Sequence, residues 1–137
     1  MITGLSHACF TVSDLAKSVA FYRDGLGLEE AFDLNIPSAN LKGVYLRVGG
    51  RTFIELFQGD PVQTPPNATY KHICLEVDDI ERTAGEIRSR GVEVGDIKLG
   101  SDQSYQAWIT DPDGNRIELH QFTAESLQVK AIERLDG

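Results

Sequence analysis

Apolar residues along this chain change their spacing from every second position to every third or fourth and back again, and they do so twice. From Leu5 to Val12 they alternate, as in a strand with one buried face: Ala8, Phe10 and Val12 lie on one side, His7, Cys9 and Thr11 on the other. Leu15, Val19, Tyr22 and Leu26, with Phe21 beside them, then form one stripe of a helix. Ser13 or Asp14 caps this helix, and Gly25 and Gly27 end it. Strand-like runs follow at about 28–34, 41–49 and 52–58, the last two joined by a turn at Gly49-Gly50. The segment 59–70, with Pro61, Pro65 and Pro66, excludes an interior strand and reads as a linker.

The pattern then restarts. A strand from His72 to Val77 leads into a helix capped by Asp78 or Asp79, carrying Ile80, Ala84 and Ile87 and stopped by Gly91. Strands are predicted at about 92–99, 105–111 and 115–122, with Asp113-Gly114 turning between the last two. His7-Ala-Cys-Phe-Thr-Val-Ser-Asp-Leu15 aligns with His72-Ile-Cys-Leu-Glu-Val-Asp-Asp-Ile80, and Ile54-Glu-Leu-Phe-Gln58 with Ile117-Glu-Leu-His-Gln121. The reading is an α+β fold of two tandem βαβββ modules, module one over 1–58 and module two over 71–122. Together they make a single domain of residues 1–122, followed by a C-terminal tail, 123–137, of weak helical character.

Alternation also places the chemistry. On the last strand of each module Ile54 and Leu56, and Ile117 and Leu119, take the core side, which leaves Glu55 and Glu118 on the face of His7 and His72. A carboxylate on a half-buried strand face is costly unless paired or ligated. One divalent metal held by His7, Glu55, His72 and Glu118 would satisfy both carboxylates, and two imidazoles with two carboxylates suit Ni, Co, Zn, Mn or Fe.

Composition narrows the function classes. The 137 residues suffice for one domain with its own core. A net charge of -8 without a Lys/Arg cluster argues against nucleic acid as partner. No apolar run is long enough to span a membrane or act as a signal peptide, so the expectation is a cytoplasmic protein. Cys9 and Cys74 sit inside apolar runs and lack CxxC spacing, which predicts reduced thiols packed as small hydrophobes.

At this point the sequence resembles the vicinal oxygen chelate superfamily. The resemblance runs from about Leu5 to Phe122 and is carried by Leu5-Ser-His7 with Val12-Ser-Asp14, Phe21-Tyr22-Arg-Asp-Gly-Leu-Gly-Leu28, Tyr70-Lys-His72 and Asp111-Pro-Asp-Gly-Asn-Arg-Ile-Glu118. It implies a curved-sheet cup around a metal site. The four candidate ligands fall where glyoxalase I carries two His and two Glu. Extradiol dioxygenases and fosfomycin-resistance enzymes use two His and one carboxylate, and methylmalonyl-CoA epimerases typically place Gln at the position of Glu55. The short chain resembles the bacterial glyoxalases that favour Ni or Co.

The implied activity is that of a metal-dependent lyase/isomerase. It would act on the hemithioacetal of a 2-oxoaldehyde and a thiol, through an enediolate, with Glu118 as the base and Glu55 as the symmetry-related alternative. Other activities of the same superfamily are acyl-CoA epimerisation, Fe(II) dioxygenation and non-catalytic drug binding for resistance, the last disfavoured by the intact set of four ligands. Relatives that pair two chains imply a homodimer acting on a small molecule. Thr11 stands where the bacterial glyoxalases carry an Arg, and its counterpart Glu76 is acidic, which disfavours glutathione unless Arg47 or Lys71 compensates. Tyr45 and Arg47 share the cup-facing parity of their strand, and His120 shares that of Glu118. Tyr105, Gln106 and Trp108 lie on a strand whose faces are too mixed to assign.

Overall fold

In the computed structural model, which describes residues 1–137, the chain divides into two compact units, Met1–Gln63 with Asp111–Gly114 and Thr64–Thr110 with Asn115–Gly137. The first unit holds β1 (His7–Val12), α1 (Leu15–Ala20), β2 (Glu29–Ile36), β3 (Leu41–Gly49) and β4 (Thr52–Gln58), in the sheet order β1-β4-β3-β2. The second holds β5 (Ile73–Glu76), α2 (Ile80–Ser89), β6 (Lys98–Leu99), β7 (Tyr105–Thr110), β8 (Arg116–Gln121) and α3 (Leu127–Asp136), in the order β5-β8-β7-β6. In both sheets the first strand pairs in parallel with the last and the other pairs are antiparallel. The architecture is α+β with two tandem βαβββ modules, as the periodicity predicts.

Alternation fixes which side of each sheet is core. Phe10, Val12, Val44, Leu46, Ile54 and Leu56 are buried with Val19 and Tyr22 of the α1 segment, while His7, Cys9 and Thr11 are exposed on the opposite face of β1. In the second unit Ala107, Ile109, Ile117 and Leu119 are buried with Ile80, Ala84 and Ile87 of α2. Each fully buried aliphatic side chain contributes about 1.5–3 kcal/mol, so a register slip that reversed either face is strongly disfavoured.

Both helices begin the same way. Asp14, not Ser13, caps α1, its carboxylate accepting from the Lys17 N–H at 3.0 Å, and Asp79 does the same for Arg82 in α2 at 3.0 Å. A second anchor comes from the end of each module: the amide oxygen of Gln58 accepts from the Leu15 N–H at 2.7 Å, and that of Gln121 from the Ile80 N–H at 2.8 Å. These bonds satisfy helix-start donors that would otherwise lack a partner. Gln121→Ala is therefore expected to cost about 1–2 kcal/mol of stability, measured by denaturant unfolding. After α1 the chain continues through a π-helical turn, Phe21–Gly25, and Gly27 at φ 80° lets it leave in the left-handed region.

Asp111–Gly114, the turn between β7 and β8, belongs to the first unit. The buried Tyr22 hydroxyl donates to Asp111 Oδ2 at 2.8 Å. Ser13, left free of capping, donates its hydroxyl to Asp113 Oδ1 at 2.6 Å and directs its N–H at the same carboxylate. Asp111 Oδ1 accepts from the Asp113 N–H at 3.0 Å, and Gly114 completes the turn at φ 86°.

Three expectations are corrected. The strand predicted over 92–99 is reduced to Lys98–Leu99, because the backbone before it bonds elsewhere. The Val92 N–H bonds to Ile87 O and the Arg88 guanidinium donates to the carbonyls of Val94 and Gly95, which leaves the Gly95 N–H, on Trp108 O of β7, as an isolated bond to the sheet. Cys9 and Cys74 are free thiols but exposed, not packed as core hydrophobes, because they share the strand parity of His7 and His72. Ile73, Leu75 and Val77, expected on a packing face, are only half-buried. The tail forms α3, tied down by the Leu127 N–H on Asp102 O at 2.9 Å and by the buried Ser104 and Ser126 hydroxyls, 2.7 Å apart. No helix is long and apolar enough to cross a membrane.

Candidate metal centre

In the first unit the face away from the core is ordered in three transverse rows set by strand register: His7, Phe53, Arg47 and Glu29; Cys9, Glu55, Tyr45 and Phe32; Thr11, Phe57, Gly43 and Leu34. His7 and Glu55 stand on neighbouring strands, with His7 Nε2 4.0 Å from Glu55 Oε2. Glu55 is only 8% exposed, a buried carboxylate on a face otherwise rich in rings. The His7 ring lies 5.5 Å from Tyr45. Arg47 is bonded to Glu29, and Thr11 is exposed at the strand edge.

The second unit repeats the middle row as Cys74, Glu118 and Trp108. His72 Nε2 lies 3.1 Å from Glu118 Oε2, and the His72 ring meets Trp108 edge-on at 4.8 Å. The Arg116 guanidinium sits 4.1 Å from the centroid of the Trp108 ring. The next row is Glu76, His120, Gln106 and Lys98. His120 is 7% exposed and its Nε2 is 2.9 Å from Asp102 Oδ2. The Gln128 amide, donating to Asp102 at 2.6 Å, together with the Ser104 N–H and His120, holds the Asp102 carboxyl below the usual range. Lys71 donates to Pro66 O at 2.7 Å.

Each unit therefore presents one imidazole and one carboxylate side by side. Metal bonds of about 2.1 Å put adjacent ligand atoms about 3 Å apart. The His72–Glu118 separation matches that spacing, and the His7–Glu55 pair is about an ångström wider. No group of three or more His, Cys, Asp or Glu side chains is placed to hold a metal ion in this chain.

Both cysteines neighbour a candidate ligand across the strand pair. Partial burial, then the Glu55 carboxylate accepting its hydrogen, pushes the Cys9 thiol up to about 11. Burial and the Glu118 charge, with Asp102 behind it, push Cys74 up to about 12. Raised values mean that both thiols stay protonated near neutrality. In metal-free protein at pH 8, iodoacetamide is expected to alkylate them roughly a hundredfold more slowly than a free cysteine. Glu55→Gln should speed up Cys9, because removing the carboxylate lowers its pKa.

Sequence reasoning left the face of Trp108 open and passed over Phe32, Asp102 and the roles of Gln58 and Gln121. One signal was present: the spacing that separates Glu55 from Glu118 also separates Tyr45 from Trp108, so the repeat alone assigns Trp108 to the ligand face. Asp102 lies in the loop between β6 and β7, opposite Ala39 at the same spacing, so neither the repeat nor any periodicity marks it.

The family model of the Glyoxalase/Bleomycin resistance protein/Dioxygenase superfamily matches residues 4–119. A probable lactoylglutathione lyase from Synechocystis is 33% identical over 130 residues, covering 88% of this chain and 97% of that protein. The metallothiol transferase FosB from Staphylococcus epidermidis is 32% identical over 130 residues, covering 89% and 84%. Among solved structures, a variant of the fosfomycin resistance protein FosX from Listeria monocytogenes, complexed with Mn(II) and 1S,2S-dihydroxypropylphosphonic acid, superposes with a TM-score of 0.70 at 27% identity, covering 98% and 99%. The duplicated topology, the duplicated His and Glu pairs and these matches agree: the chain belongs to the Glyoxalase/Bleomycin resistance protein/Dioxygenase superfamily.

Proposed function

We propose that this protein is a metal-dependent lyase/isomerase of glyoxalase type, acting on the hemithioacetal of a 2-oxoaldehyde and a thiol. His7, Glu55, His72 and Glu118 are the ligands of one divalent metal, Ni or Co favoured and Zn, Mn or Fe compatible with the same donors. The observation that carries this reading is the duplicated pair itself, above all the buried Glu55 beside His7, the second carboxylate that separates the glyoxalase ligand set from a two-His, one-carboxylate set. The protein acts as a homodimer in the cytoplasm, the ligands coming from one chain or from two.

When bound, the cation supplies positive charge against two adjacent substrate oxygens as negative charge develops on them. The chain's own residues do the proton work. Glu118 takes the proton from the carbon that bears sulfur and returns it to the neighbouring carbon, with Glu55 as the alternative base. Its side chain is 12% exposed, which keeps water from competing for that proton. Trp108 and Tyr45 wall the two imidazoles. Arg47, engaged by Glu29, and Glu76, exposed and acidic, give an anionic thiol little to bind, so glutathione is disfavoured.

The test is metal content after chelator-free purification, alongside isomerisation of methylglyoxal hemithioacetals of glutathione and of uncharged thiols with Ni, Co, Zn, Mn or Fe added. Bound metal with thioester formation supports the reading. Bound metal without it redirects the site to thiol transfer, epimerisation or oxygen chemistry, and a protein that binds no metal is a binding module.

A further inference from the structure

The face beside His7 and Glu55 carries an apolar platform that proton transfer does not use. Phe32 stacks on Tyr45 with centroids 4.5 Å apart and planes 16° from parallel, and Tyr45 meets Phe53 edge-on at 6.0 Å. In the adjoining row the Phe57 ring covers Gly43: a Cβ at that position would stand 2.6 Å from one ring carbon and 2.7 Å from another, so only glycine lets the ring lie there. Phe32 is 48% exposed, a large ring left on the surface although it is already stacked on one side. The one cation in these rows, Arg47, is bonded to Glu29.

The second unit does not repeat this. It shares the Cys, Glu and aromatic row, but where the first unit has Thr11, Phe57, Gly43 and Leu34 it has Glu76, His120, Gln106 and Lys98. His120 there is set in a hydrogen-bonded network with Asp102 and Gln128. The two halves thus agree at the metal-ligating row and diverge beside it, one apolar and flat, the other hydrogen-bonding.

We propose that the platform of Phe32, Tyr45, Phe53 and Phe57 is a subsite for an uncharged planar group, an aromatic ring above all, attached to the substrate's pair of adjacent oxygens. The proposal rests on the oxygen-chelating reading of His7 and Glu55 given above. A flat ring gains offset-stacked contact with Phe32 and Tyr45 and buries apolar area on Phe57. A carboxylate or phosphonate in the same place meets no uncommitted cation and stands near the carboxylates of Glu29 and Glu55.

Acetohydroxamate and benzohydroxamate present the same two adjacent oxygens and differ by a methyl against a phenyl group, so they isolate the platform without catalysis. With Mn(II)-loaded protein in a calorimeter, benzohydroxamate should bind at least tenfold more tightly. Phe32→Ser should cut that preference below threefold, and Phe32→Tyr, which keeps the ring, should retain it. Equal affinities in the wild type overturn the subsite and leave the metal reading standing. Failure of Mn(II) or of both chelators to bind overturns the two together. If Phe32→Ser changes the sedimentation mass and not the preference, the platform is an interface between copies of this chain, and the proposal falls.

Discussion

Glu118→Gln is expected to lower kcat for hemithioacetal isomerisation by about a thousandfold at saturating metal, and Glu55→Gln by at least tenfold less. Gln keeps an oxygen donor of nearly the same shape but can neither carry charge nor hold the transferred proton, and general-base catalysis is worth about a hundredfold to ten-thousandfold. Both variants should also bind metal more weakly, since each removes one negative charge from the proposed ligand set, so metal content must be measured beside the rate. A reversed order of the two losses would give the proton work to Glu55. Equal and small losses would remove both carboxylates from the chemistry.

The second large effect lies in the turn that leads into β8. Asp111→Ala removes a 4% exposed carboxylate that accepts from the Tyr22 hydroxyl and from the Asp113 N–H. Hydrogen bonds to buried charged groups are worth about 1.5–3 kcal/mol, so a loss of about 3 kcal/mol and a fall in Tm of roughly 10 °C are expected. Tyr22→Phe should cost less, because it removes one donor and leaves the turn intact. The double variant should cost less than the sum of the two, the coupling that neighbours in one network show. Thermal melts followed by circular dichroism decide the matter, and a loss below 1 kcal/mol for Asp111→Ala would refute this account of the turn.

What could be read from the sequence follows from what is periodic in it. The alternation in Leu5–Val12 and its echo from His72 assigned both histidines to the face away from the core, and the matching Glu55 and Glu118 came with them, because a strand's parity is fixed by its buried neighbours. The segment 92–97 misled because Val92 and Val94 have the spacing of a strand, while their backbone partners come from α2 and from Arg88. Periodicity counts side chains and is blind to where carbonyls go. Cys9 and Cys74 misled in the opposite way: composition suggested packed hydrophobes, whereas their parity, read strictly, already put them with the histidines. Asp102, which orders His120 from a loop, had no pattern to announce it.

The Asp111–Gly114 turn also bears on how the protein is made. The ribosome has finished β1 to β4 and α1 well before it reaches Asp111, and at roughly 5–20 residues per second the wait lasts several seconds. During that time Ser13 and Tyr22 have none of the acceptors that the turn provides. The nascent first unit is thus an incomplete body held open for a late-arriving piece of its own interior. Premature termination between Gln58 and Asp111 should leave a fragment that is prone to proteolysis, although every strand of its sheet has been synthesised.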